Sequence, residues 1–161
     1  MTLSVGDRVP EADLFVPGEN GPEKVSSKEL FAGRTVVLVG MPGAFTPTCH
    51  RNHLPGFVEN CDAIRAKGVD DIIVLTTNDT HVLKAWAEAS GGKEKLRFVS
   101  DGNAELVQKA GLSNDSSARG MGIRAKRFAM IVEDGVVTAL LLEEQPGQTV
   151  ISSAARILEA L

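Results

Sequence analysis

Cys49 is one of only two cysteines in 161 residues, and the residues around it are types that control backbone geometry and protonation. Residues 42–50 read PGAFTPTCH. Two prolines fix φ, and Gly43 permits a tight turn. Thr46 suits a helix N-cap and Pro47 the first helical position, which places Cys49 in the first turn of the helix that follows. Backbone N–H groups there are unpaired and favour an anion. A free thiol titrates near ~8.5, and its thiolate is the nucleophile. A small buried hydrophobe has little need of such control, so the pattern points to a nucleophilic cysteine.

Other side chains could serve it or compete with it. Cys61 lies on an apolar helical stripe with Leu54, Phe57, Val58 and Ile64, the pattern of a packed, inert thiol. Along a helix, twelve residues span ~18 Å, whereas a disulfide needs Cα atoms within ~7 Å. Cys49 and Cys61 are therefore not expected to pair. His53 stands four residues after Cys49, a spacing that permits a thiolate–imidazolium pair on one helical face; a hydrogen bond that orients the loop is the more ordinary role. A closed zinc site needs four ligands, and beyond Cys49, His50 and His53 only Cys61 and His81 are available as soft ligands, so no metal is expected. Arg119, Arg124, Lys126 and Arg127 lie in the Gly-rich run SARGMGIRAKRF, which reads as a solvated charge run. Arg127 differs by opening an apolar strand, where its charge needs water, an anion or a partner. Gly120-Met121-Gly122 is not a phosphate-binding motif, and no cofactor is implied.

The elements that must position these groups follow from periodicity. A short hairpin is expected over 13–25, and Ser27 caps a helical turn ending at Gly33. An apolar strand spans 35–41, of the kind buried on both faces of a mostly parallel sheet. A helix covers 47–67. Strand 71–77, helix 79–89, strand 96–100 and helix 103–110 come next. Strands 127–133 and 136–142 are joined by Asp134-Gly135, a strong hairpin signal, and a helix over 149–161 closes the chain. The order β-α-β-α-β-α-β-β-α predicts an α/β fold with a mixed central sheet and helices on both faces. The arrangement is thioredoxin-like, with an N-terminal hairpin, in a single domain over 1–161.

Composition narrows the function classes. Hydrophobic residues make up 43% and charged residues 24%, as in globular proteins. With 17 basic against 21 acidic residues, there is no basic excess to suit nucleic acid. No apolar run approaches the ~20 residues that span a bilayer, and the N-terminal stretch lacks a secretory pattern. Two cysteines make no disulfide scaffold, and a reducing, cytoplasmic location is the default expectation. The absence of C-x-x-C argues against a thiol–disulfide reductase.

The chain resembles the peroxiredoxins. The motif rests on Pro42, Thr46 and Cys49, and the segments HLPGF at 53–57, KGVDDI at 67–72 and KRFAMIVEDG at 126–135 are similar to the atypical type five, or type II, branch. The resemblance implies a thiol peroxidase on a thioredoxin-like fold. It implies that Cys49 is the peroxidatic cysteine, that Arg127 holds it as a thiolate, that the Thr46 hydroxyl orients the peroxide and that Pro42 shields the pocket. Thr48, Gly43 and His53 are the expected substrate contacts. Some relatives carry a resolving cysteine in the C-terminal segment or in the strand after the first helix; here 149–152 and 72–75 contain none. A one-cysteine cycle is therefore expected, with glutathione and glutaredoxin as reductants and thioredoxin as a further candidate, in a homodimer. The competing expectation is a sensor that passes oxidation from Cys49 to a protein partner.

Overall fold

Three parallel strands form the centre of the sheet, and their apolar sequences are buried on both faces. The computed structural model describes residues 2–161. In chain order, β1 (Asp13–Gly18) and β2 (Gly21–Ser26) form the hairpin, and α1 (Ser27–Phe31) follows. The parallel strands are β3 (Thr35–Gly40), β4 (Asp71–Thr76) and β5 (Arg97–Ser100), with α2 (Leu54–Ala66) and α3 (Thr80–Ser90) as crossovers. Next come α4 (Glu105–Lys109), β6 (Ser113–Asp115), β7 (Ile123–Ala125), β8 (Phe128–Glu133), β9 (Val136–Leu142) and α5 (Ala154–Ala160). The main sheet has the order β2-β1-β5-β4-β3-β8-β9. β8 pairs antiparallel with β3 and β1 with β5, so the sheet is mixed, as the sequence predicts.

Alternation along each strand divides the core in two. Val37, Val39, Ile72 and Val74 pack on the face with Phe57, Ile64, Leu83, Trp86 and Ile157 from α2, α3 and α5. Val36, Leu38, Ile73 and Leu75 pack on the other face with Leu30, Phe31, Leu106 and Val107 from α1 and α4. Helices thus cover both faces.

Several local expectations are corrected. Ser26, not Ser27, caps α1 by accepting from Glu29 N, because the Ser27 hydroxyl is occupied between Ala12 N and Pro10 O. The Gly-rich basic segment is not simply a solvated run: β6 and β7 pair as a separate two-stranded ribbon. Gly120 and Gly122 reverse the chain there at φ of 72° and 68°. The last helix starts at Ala154, well after residue 149, where the Ser153 hydroxyl accepts from Arg156 N. Asp134 and Gly135 turn the last hairpin with φ of 47° and 80°, as that dipeptide requires.

Candidate active site

Cys49 begins a wide π turn, Cys49–His53, that leads directly into α2. Its ring is closed by Leu54 N–H donating to Cys49 O. The sequence predicts a regular α-helix throughout this segment; the i→i+5 turn is rarer and is frequent at functional sites. Ahead of it, the first helical bond runs from His50 N to Thr46 O at 2.9 Å, which leaves the N–H groups of Thr48 and Cys49 before the ladder. The expected Thr46 side-chain cap is not made. Its hydroxyl instead donates to Gly43 O at 2.6 Å, which folds the loop back on itself and leaves the oxygen lone pairs available.

The start of β8 delivers Arg127 to this turn. β3 and β8 are in register with Gly40 opposite Phe128, so the residues just beyond each strand end lie side by side. Gly40 is required there, since a Cβ would collide with the Phe128 ring. Arg127 is 3% exposed, and all three of its nitrogens are used. Nη2 donates to Cys49 Sγ at 3.1 Å, Nη1 to His53 Nδ1 at 3.0 Å and Nε to Pro146 O at 2.7 Å. The guanidinium thus places a charged donor directly on the sulfur.

His53 is 1% exposed, and its partners fix its state. Nδ1 receives the arginine donor, so Nε2 carries the proton and donates to Ser152 O at 2.9 Å. Burial is the main cause that pushes its pKa down, from the ordinary 6.5 to about 4; the Arg127 charge adds to this, and the Ser152 carbonyl and Glu143 oppose it. The ring is therefore neutral at physiological pH, and the thiolate–imidazolium pair permitted by the i,i+4 spacing does not form. The guanidinium supplies the positive charge, with His53 as its acceptor.

A cavity of about 680 Å³ lies over the turn, its lining including Pro42, Thr46, Thr48, Arg119 and Arg127. Gly43 and His53, expected at the substrate, do not line it. Gly43 holds Thr46, and His53 sits among buried side chains with its ring edge-on to Phe57. Cys49 itself has no exposed surface. The sequence reading missed several supports. Arg124 Nη1 donates to Pro42 O at 3.3 Å, and Asn78 Oδ1 accepts from Ala44 N at 2.8 Å. Trp86 Nε1 donates to His50 Nδ1 at 2.9 Å. Nothing in local spacing signals these. Cys61 is buried on α2 beside Leu54, Phe57 and Ile64, as its stripe predicts.

The redoxin family model matches residues 4–158. Peroxiredoxin-2C of Oryza sativa subsp. japonica is 43% identical over 160 residues, covering 99% of this chain and 98% of that protein. This chain is a peroxiredoxin of the type II branch. Among solved structures, reduced Prx3 from Vibrio vulnificus in complex with H2O2 shares the peroxiredoxin's fold with a TM-score of 0.93 and 41% identity, covering 99% of each chain. A 1-Cys peroxiredoxin, the Plasmodium falciparum antioxidant protein, has a TM-score of 0.90 at 30% identity, covering 98% of this chain and 97% of that chain. The peroxiredoxin is accordingly a thiol-dependent peroxidase on a thioredoxin-like fold.

The neutral histidine makes a testable prediction. The unfolded chain binds a proton at His53 below pH 6.5, while the folded peroxiredoxin resists it down to about 4. Stability should therefore fall as pH drops through that window, by on the order of 3 kcal/mol from this group. An NMR titration of the ring should show it neutral at pH 5.5; a midpoint near 6.5 in the folded protein would contradict the assignment.

Proposed function

We propose that this peroxiredoxin reduces hydrogen peroxide and organic hydroperoxides through Cys49, and that glutathione with glutaredoxin returns the oxidised cysteine to the thiol. The observation that carries the reading is the 3.1 Å contact from Arg127 Nη2 to Cys49 Sγ at the head of a helix. The thiolate attacks the nearer peroxide oxygen, an S–O bond forms, the O–O bond breaks, and the departing alkoxide or hydroxide takes a proton. Cys49 becomes a sulfenic acid. Charge developing on the distal oxygen is met by Arg127 and by the N–H groups of Thr48 and Cys49, which need little reorganisation. Thr46 Oγ1, whose proton goes to Gly43 O, accepts from the bound peroxide, and Pro42 keeps water from the sulfur.

The external reductant is supported by counting sulfurs. Cys61 is packed on the apolar face of the same helix and does not face the cavity, and the chain has no third cysteine. A diffusible thiol then forms a mixed disulfide with Cys49 and releases water, and glutaredoxin removes the glutathionyl group by thiol exchange. The cavity is within the range that holds small ligands, and both Arg119 and Asp115 line it, a charge pair suited to a zwitterionic tripeptide. Because Cys49 is fully buried, the π turn must open for the exchange. A homodimer is part of this reading. Phe45, at φ 62° and 48% exposed next to the active-site turn, is a large apolar side chain for a second subunit to cover.

Peroxide consumption measured separately with glutathione, glutaredoxin and thioredoxin tests the reductant. Cys49→Ser should abolish turnover and Cys61→Ser should retain most of it. After peroxide and then glutathione, intact-mass spectrometry should find one glutathione adduct, located at Cys49. A Cys49–Cys61 bridge as the main product would overturn the one-cysteine cycle, and oxidation transferred to a protein partner without turnover would favour a relay.

A further inference from the structure

The segment after β9 supplies two of the acceptors that hold the site in place: Pro146 O for Arg127 Nε and Ser152 O for His53 Nε2. Yet residues 144–152 are irregular and, apart from buried Ser152, mostly exposed, and belong to no strand or helix that would fix those carbonyls. Glu143 ties the segment down at both ends. Its backbone N–H donates to Arg127 O at 3.0 Å. Its Oε2 accepts from Ile151 N at 2.8 Å, Ser152 N at 2.6 Å and Ser152 Oγ at 2.6 Å. The residue is 7% exposed, and among the described residues Oε1 has no partner. Burial works against its charge, but the Ser152 hydroxyl and the N–H groups of Ser152, Ile151 and Val150 outweigh it and hold the carboxyl below the usual range. Burying a carboxylate with a bare oxygen is costly, and loop closure alone does not require one.

We propose that Glu143 is a positioning residue for the peroxidase reaction: its carboxylate closes the loop between β9 and α5, so that the Pro146 and Ser152 carbonyls orient Arg127 and His53 and leave one guanidinium nitrogen for the cysteine sulfur. The chain of contacts runs Glu143–Ser152–His53–Arg127–Cys49, and Glu143 touches neither substrate nor sulfur. It acts by fixing which partners the guanidinium can reach. This rests on the assignment of Cys49 as the reacting atom.

The test compares wild type with Glu143→Ala and Glu143→Gln. The rate constant for forming the Cys49 sulfenic acid is measured under single turnover, and the ring ¹⁵N signals of His53 are recorded. Misplacing a catalytic group by about 1 Å costs up to about 10²-fold, so Glu143→Ala is expected to slow the step by roughly 10- to 100-fold and to lose the single Nε2–H tautomer. Glu143→Gln keeps the shape and one acceptor oxygen but accepts less strongly than a carboxylate, and should fall between. Should the alanine variant not fold, the glutamine variant decides alone. A folded variant that forms the sulfenic acid at the wild-type rate, or one that slows while His53 keeps its wild-type signals, overturns the proposal. Failure of the underlying reading is distinct: wild type itself would then form no sulfenic acid at Cys49.

Discussion

A guanidinium buried to 3% exposure must satisfy its donors within the protein, and the geometry around Arg127 is organised by that demand. One sulfur and one imidazole nitrogen from the Cys49–His53 turn, and one carbonyl oxygen from the segment after β9, converge on it. Each acceptor imposes a condition. The sulfur must lie at the head of the helix after β3, the imidazole must be neutral, and the 144–151 segment must be closed. Breaking a buried charge from one partner is expensive because the charge remains, so these conditions reinforce one another. The sheet sets the frame: antiparallel register between β3 and β8 brings their ends together, and Gly40 lets the Phe128 ring pass close to the backbone.

The π turn carries the tension between chemistry and access. The cavity beside Thr46 and Pro42 stops short of the sulfur, so peroxide needs a small movement of the turn to reach it, and a bulkier thiol reductant needs a larger one. A buried Cys49 at the start of α2 has a dry, preorganised setting for O–O cleavage, and access to it depends on movement of the single π turn that carries it. The loop before it is held by side chains from elsewhere, notably Arg124 on Pro42 and Asn78 on Ala44, so opening can stay local to the turn.

Much of this was legible in the sequence because it is local. Prolines and a glycine before Cys49 announced a controlled strand-to-helix junction, the apolar runs gave the central strands, and Asp134-Gly135 gave the last hairpin. Arg127 stood out as a charge opening an apolar strand. What the sequence hid depends on tertiary placement. The i,i+4 spacing of Cys49 and His53 suggested direct pairing, but a π turn and an intervening arginine change their relation. Thr46 has the composition of an N-cap, yet its hydroxyl bonds back to Gly43. The Gly-rich run looked solvated until β6 and β7 paired and Arg124 reached Pro42. Glu143 gave no sign at all, since its partners lie eight and nine residues on in a segment without periodicity.

If the three-way placement of Arg127 governs reactivity, charge alone will not replace it. Arg127→Lys keeps the positive charge, but a compact ammonium cannot span sulfur, imidazole and carbonyl in one plane. The most direct measurement is the stopped-flow rate constant of Arg127→Lys with hydrogen peroxide. A loss of about 10²-fold, the cost typical of removing one preorganised donor, is predicted. A lysine variant within about twofold of the wild-type rate would contradict the central role of the guanidinium geometry.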